Sequence, residues 1–120
     1  MNNITIEQEI QAAGKTAPRI TPANVEANIV SEYYFTAENG VFGQAVVENN
    51  PHALYDKSLC LLTFCVLTLE NGFTVTGESA CASPENFDAE IGRKIARTNA
   101  VTKIWPLMGY ALRNELLKGN

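Results

Sequence analysis

Apolar positions change their spacing several times along the chain, and each change predicts an element. Residues 1–20 hold no sustained period and include Gly14 and Pro18, which predicts a flexible N-terminal arm with at most a short helix around Ile6 to Ala12. From Thr21 the pattern sharpens. Thr21 suits a helix N-cap, Pro22 suits the first helical position, and Val25 and Ile29 recur one turn apart, so a short helix is expected to run to near Val30. The aromatic run Tyr33-Tyr34-Phe35 within Ser31 to Thr36 favours a strand. Asn39-Gly40, Gly43 and Asn49-Asn50-Pro51 are turn-forming, and they predict one long loop over about 38–57.

Leu59 to Leu69 is almost wholly apolar and β-favouring, Asn71-Gly72 interrupts it, and Phe73 to Cys81 alternates apolar or small residues with polar ones. That is the pattern of a β-hairpin closed by a type I′ Asn-Gly turn. A strand so uniformly apolar is expected to have helices on one side and a second sheet or another copy of the chain on the other, which predicts a homo-oligomer. Ser83-Pro84-Glu85-Asn86 then offers N-caps, with Asp88 and Glu90 in the first turn, where the helix dipole favours anions. At about 100° per residue Phe87, Ile91, Ile95, Thr98, Val101, Thr102 and Trp105 share one side of the following helix, and Lys94 intrudes into that stripe. Pro106 lacks an N–H and is expected to end this helix, leaving a second over Leu107 to Leu117 with Tyr110, Arg113 and Leu117 on one side.

The expected fold class is therefore α+β: an antiparallel sheet with a central β-hairpin, a short N-terminal helix and two C-terminal helices. A length of 120 residues suits one core, so 21–120 reads as a single domain. The longest apolar stretch falls short of the roughly 20 residues that cross a bilayer, and Met1 to Ile10 lacks the basic and apolar regions of a secretory signal. Work in the compartment of synthesis is expected. Cys60, Cys65 and Cys81 are odd in number and sit in strand-like segments, which argues against a disulfide framework. Joined with His52 they would reach four zinc ligands, but the five-residue step from Cys60 to Cys65 sends them to opposite faces of a strand. No metal is expected.

Charge changes the picture more than composition does. The formal charge of −4 repels nucleic acid and anionic membrane, so DNA is not an expected partner of the whole surface. Residues 1–90 carry three basic groups against twelve acidic ones, whereas 91–120 carry six basic groups and only Glu115. Basic residues complement helix C-termini, which is one account of the cationic tail. The other is a pocket for a small anion.

Catalytic chemistry finds little support. Gly72 and Gly77 have the wrong spacing for a phosphate-binding loop, and His52 is the lone histidine, with no signature for a nucleophile around it. No catalytic residue and no cofactor are expected. Glu78, Glu85, Asp88 and Glu90 cluster near the hairpin-to-helix junction, where helix electrostatics already accounts for most of them. What remains is a binding constellation. Phe87 either stacks a ring or fills the core, Asn86 reads a polar edge, and Arg93, Arg97 and Arg113 pair with phosphates. Lys94 either faces the same ligand or lays its stem along the apolar stripe.

Several segments resemble a known family: Leu61 to Cys81, Pro84-Glu85-Asn86-Phe87-Asp88, Glu90 to Arg97, and Lys103-Ile104-Trp105-Pro106-Leu107 with Gly109-Tyr110. They resemble the gene-49/gene-66 family of small tailed-phage proteins, and Val25 to Ala37 fits that family's N-terminal helix and strand. The layout is in turn similar to the first Thoeris anti-defence family, phage sponges that assemble as oligomers up to hexamers and sequester nucleotide immune signals. That resemblance implies a small cyclic nucleotide ligand, a cyclic ADP-ribose isomer or a cyclic oligonucleotide, held without turnover in the host cell cytoplasm. It implies roles for Phe87 and Arg113, which match an aromatic at the start of the first C-terminal helix and an arginine in the last, and a polar contact at Arg97. Two positions depart from the pattern: Met108 stands where relatives carry an acid, and the 38–57 loop is long. The alternative is an accessory protein that binds a host protein or nucleic acid through its basic C-terminal helices, with steep salt dependence on DNA or RNA. A third possibility is an enzyme that cleaves the signal.

Overall fold

The computed structural model describes residues 3–15 and 17–119, with side chains from Thr5 onward. Its first helix, α1 (Asn3–Ala12), is tied back by Arg19, whose guanidinium grips both oxygens of Glu7. Two further helices start from one repeated device. Thr21 Oγ1 accepts from the Asn24 amide at 3.1 Å while Asn24 Oδ1 accepts from the Thr21 amide at 2.9 Å, and α2 runs Pro22–Ala27. Thr36 and Asn39 make the same exchange at the same distances and start α3, Ala37–Val47.

The expected long loop over 38–57 is thus α-helix for its first half. Asn39 caps rather than turns, and the turn-forming Asn49-Asn50 ends α3 instead of extending a loop. Asn49 takes the left-handed φ of 57°, and the Asn49 and Asn50 amides donate to the Val46 and Ala45 carbonyls. The chain then passes through a 3₁₀ turn, Lys57–Leu61, into the hairpin.

Three antiparallel strands form one sheet in the order β1 (Ile29–Thr36), β2 (Leu62–Leu69), β3 (Thr74–Ala80). The hairpin is present, but its turn differs from the type I′ expectation. Asn71 keeps a negative φ and only Gly72 is left-handed, at +88°. The Gly72 amide donates to the Leu69 carbonyl at 2.9 Å and the Leu69 amide to the Phe73 carbonyl at 2.8 Å, which makes a three-residue loop closed by a left-handed glycine. Asn71 serves through its side chain, accepting from the Phe73 amide at 2.9 Å.

The sheet is roofed by a single helix, α4 (Ala89–Lys118), capped where Asp88 Oδ1 accepts from the Ile91 amide at 3.0 Å. The sequence pattern predicts two C-terminal helices, but Pro106 does not break this one. Ile104 is fully buried just before the proline, and Met108 and Leu112 pack toward Ile20 and α2 after it, so tertiary contact holds the backbone helical on both sides of the missing N–H.

The stripe of α4 that meets the sheet is Gly92, Ala96, Ala100 and Ile104. Ile91 and Ile95, expected on the buried side, are 55% and 46% exposed. The small residues are selected by proximity: a Cβ at Gly77 in β3 would collide with the Ala96 carbonyl and the Ala100 amide. Beneath this contact lies the core of Val25, Cys65, Leu67, Leu69 and Val75. Alternate residues of β2 point away from α4, and Leu62, Phe64 and Val66 there are only half-buried. α3 shields one end of that outer face, where the Phe35 and Phe64 rings lie 5.7 Å apart at 32°. With α4 projecting past the sheet, the radius of gyration is 18.6 Å, against about 14 Å for a compact domain of this length.

Candidate functional site

The head of α4 is the point where sequence-selected residues gather. A 3₁₀ turn, Pro84–Asn86, delivers the chain to Phe87 and the Asp88 cap, leaving the Phe87 ring half-buried between two small hollows. One hollow, about 100 Å³, is shared by Phe87 and Arg93 with Tyr34, Phe35 and Asn39. The other, about 150 Å³, is shared by Phe87 and Asn86 with Cys81, Ile91 and Ile95. Phe87 is therefore neither sealed in the core nor fully solvated.

Arg93 is exposed and forms no ion pair or hydrogen bond among the described residues. Its guanidinium is free for an anion. Lys94, also exposed, meets Glu90 at 3.4 Å one turn away and lines neither hollow.

Arg97 has a different task. Its Nη2 and Nη1 donate to the two oxygens of Glu26 at 2.8 and 3.1 Å, and its Nε donates to Glu32 at 3.2 Å. The hydrogen bonds to Glu26 push the guanidinium above its ordinary pKa and hold the Glu26 carboxyl below the usual range. On the far side of Glu32, the Tyr34 hydroxyl donates to Oε1 at 2.8 Å. Burial, followed by that bond, raises Tyr34, and burial likewise raises the adjacent Cys65 thiol. Arg97 thus ties α4 to α2 and β1, and all its donor directions toward these carboxylates are taken.

Arg113 is not brought to Phe87. The uninterrupted α4 spaces Ala89 and Arg113 by about 36 Å at 1.5 Å per residue. The convergence expected of two short helices does not occur within one chain. At that distant end lie larger hollows, one of about 500 Å³ between Ile20, α2 and Met108, and one of about 540 Å³ between β3 and α4.

Tyr34, Phe35 and Asn39 belong to the Phe87 hollow, although sequence reasoning does not select them as site residues. The signal for Asn39 lies in Thr36-Ala37-Glu38-Asn39, a capping pattern that starts a helix beside the strand end. The acidic cluster near the junction resolves into local roles. Asp88 caps α4, Glu85 accepts from the Ser83 hydroxyl at 2.6 Å, which lowers its pKa, and Glu90 meets Lys94. Among the described residues no group of three or more His, Cys, Asp or Glu side chains is placed to hold a metal ion, and no helix is long and apolar enough to cross a membrane.

Comparison with known proteins identifies one family. The family described as "Phage protein (N4 Gp49/phage Sf6 gene 66)" matches residues 20–116, from the end of the N-terminal segment through nearly all of α4. No curated protein and no solved structure matches the chain.

Proposed function

This chain belongs to the N4 Gp49/Sf6 gene 66 family of phage proteins, and we propose that it acts as an anti-defence sponge, holding a small cyclic nucleotide immune signal without turnover in the host cell cytoplasm. The observation that carries this reading is the pairing of Phe87, half-buried at the head of α4, with the unpartnered guanidinium of Arg93 on the edge of the same hollow. A ring to stack a base and a planar cation to fork a phosphate are the two contacts that a cyclic ADP-ribose isomer or cyclic oligonucleotide offers most strongly. Asn86 and Asn39 stand beside Phe87 with amide groups suited to a base edge or a ribose hydroxyl.

The hollows themselves are small for a whole dinucleotide, and Arg113 lies far from them. The proposal therefore includes a homo-oligomer, in which a neighbouring copy enlarges the cleft and supplies the distant arginine. The ligand class is the one implied by the resemblance to the Thoeris anti-defence sponges read from the sequence.

Titration calorimetry with cyclic ADP-ribose isomers and cyclic di- and trinucleotides tests the proposal. The expected result is saturable binding of at least one of them, followed by recovery of the intact nucleotide when the complex is heated. Absence of heat with all of them overturns the reading, and recovery of a cleaved product replaces storage with catalysis. A steep fall of DNA or RNA affinity with salt, with no small-ligand binding, would assign the basic α4 to nucleic acid instead.

A further inference from the structure

β3 is an edge strand, and its pairing with β2 determines which of its backbone groups are left over. In an antiparallel pair, successive residues alternate between bonding the neighbouring strand and turning their N–H and C=O outward. The Leu69 amide donates to the Phe73 carbonyl and the Cys81 amide to the Leu61 carbonyl, so Val75, Gly77 and Ser79, in phase with them, bond β2. Thr74, Thr76 and Glu78 therefore turn their amides and carbonyls to the free edge. The Glu78 carbonyl agrees with this phase, because it accepts from Asn99 Nδ2 of α4 at 2.8 Å. The outward groups of Thr74 and Thr76 have no such partner among the described residues.

The two edges of the sheet differ. β1 carries a bulge between Ile29 and Ser31, and α3 packs on it. Both features discourage the addition of a strand. β3 pairs with β2 in unbroken register and contains neither proline nor lysine. α4 lies antiparallel beside it, since Gly77 meets Ala96 and Ala100 while Phe73 adjoins Leu107. Along the uncovered half of the strand this leaves a groove of about 540 Å³, with Phe73, Leu107 and Tyr110 at one end and Lys103 at the other. Lys103 is the only charged residue lining that groove, and it makes no ion pair among the described residues.

We infer that the β3–α4 groove binds an extended segment of another protein, which joins the sheet as a fourth, antiparallel strand and carries an acidic side chain two residues before an apolar one. Strand addition at an edge takes its affinity from main-chain bonds and its specificity from pockets for alternate side chains. Thr74 and Thr76 supply two donors and two acceptors, and Asn99 closes the edge beyond them. Lys103 and Leu107 are about 6 Å apart along α4, and alternate residues of a strand, which share a face, about 6.8 Å. One inward side chain of the segment thus meets Lys103 while the next enters between Phe73, Leu107 and Tyr110. Antiparallel entry beside Thr76 puts the acid first. A second copy of β3 does not fit this role. It would set Lys103 against Lys103, and its own α4 already buries Val75 and Gly77, the side that would face the groove. The groove follows the second half of α4, away from Phe87, so the inference stands apart from the nucleotide reading.

Selection from a library of random peptides of about seven residues, long enough to span the open edge, tests this on the full chain. Enrichment of the order acid, any residue, apolar is expected. Thr76→Pro removes an outward N–H and leaves every bond to β2, at the kind of edge position where strands tolerate proline. A synthetic peptide of the enriched sequence should bind it about tenfold more weakly than wild type by calorimetry. Lys103→Glu reverses the charge of the groove at an exposed position, and selection on it should enrich a basic residue in place of the acid. Should Thr76→Pro lose the wild-type circular dichroism spectrum, Lys103→Glu alone decides. No enriched sequence, an enriched sequence without that order, or selection and affinity that neither variant alters overturns the proposal. A folded Thr76→Pro chain that forms a smaller assembly than wild type by light scattering assigns the edge to a second copy and overturns it too.

Discussion

The Arg97 guanidinium closes on the Glu26 carboxylate through two hydrogen bonds of 2.8 and 3.1 Å, joining the first third of α4 to α2 across the edge of the sheet. A residue that reads in sequence as one more phosphate ligand is thereby an internal clasp. Arg97→Ala is expected to destabilise the fold by about 1 kcal/mol, a modest figure because Glu26 is more than half exposed and solvent screens the pair. Because Arg97 lowers the Glu26 pKa, the contribution is present above the ordinary carboxylate range and fades as pH falls through it. Urea midpoints at neutral and acid pH check both points: the wild type loses more stability on acidification than Arg97→Ala does.

The tight contact between β3 and α4 predicts a larger effect. Gly77 lies under α4 with no room for a methyl group, since the Ala96 carbonyl and Ala100 amide occupy the position of a Cβ. Both obstacles are backbone, so relief requires moving the helix off the sheet. Gly77→Ala is expected to cost about 3 kcal/mol or more. Gly109, on α4, has open space where a Cβ would stand, with no neighbouring atom within 4 Å. Gly109→Ala is expected to stabilise by about 0.5–1 kcal/mol through helix propensity. Thermal melts of the two variants should move in opposite directions.

How much of this is legible in the sequence depends on what each signal encodes. The β2–β3 hairpin and the Thr21 cap are plain, because turn chemistry and capping act over a few residues. α3 is hidden because Asn39-Gly40 and Asn49-Asn50 are ambiguous as letters: the same residue types build turns, caps and helix ends, and only the Thr36–Asn39 exchange separates them. The buried stripe of α4 is misplaced by sequence reasoning for a tertiary reason. Hydrophobic size points to Ile91 and Ile95, whereas close approach to Gly77 selects Gly92, Ala96 and Ala100. Pro106 carries a local rule that packing on either side overrides. At the site, Phe87, Asn86 and Arg93 come together because they are neighbours in sequence. Arg113 does not, because an unbroken helix converts 24 residues of separation into a rigid rod.

If Phe87 and Arg93 form the ligand contact, each makes its share without help from the other. Phe87→Ala removes a stacking surface and Arg93→Ala a charged hydrogen bond, and each is expected to weaken nucleotide binding by about 1–3 kcal/mol, roughly 5- to 150-fold. Arg97→Lys serves as a contrast: it keeps the charge, breaks the two-pronged grip on Glu26, and should change stability more than affinity. Calorimetry on the three variants checks the ranking. Unchanged affinity in both Phe87→Ala and Arg93→Ala moves the site away from the head of α4.

The attachment of α1 offers a pH readout of its own. Arg19 donates to both oxygens of Glu7, and Gln11 Nε2 donates to Oε2 at 2.7 Å. The Arg19 hydrogen bonds, with that from Gln11, lower the Glu7 pKa from an ordinary 4.5 to about 2. A depressed carboxylate stabilises the folded arrangement fully above its unfolded pKa, and the contribution is lost as pH falls toward the folded value. The window is therefore about pH 4.5 to 2. Below it, protonated Glu7 no longer favours the Arg19 contact and α1 loses its tether. Amide hydrogen exchange along Asn3–Ala12 should accelerate relative to the rest of the chain as pH is lowered through that window, once corrected for intrinsic rates. Glu7→Gln should exchange faster at neutral pH and show no such dependence, because the neutral amide cannot form the charged grip at any pH.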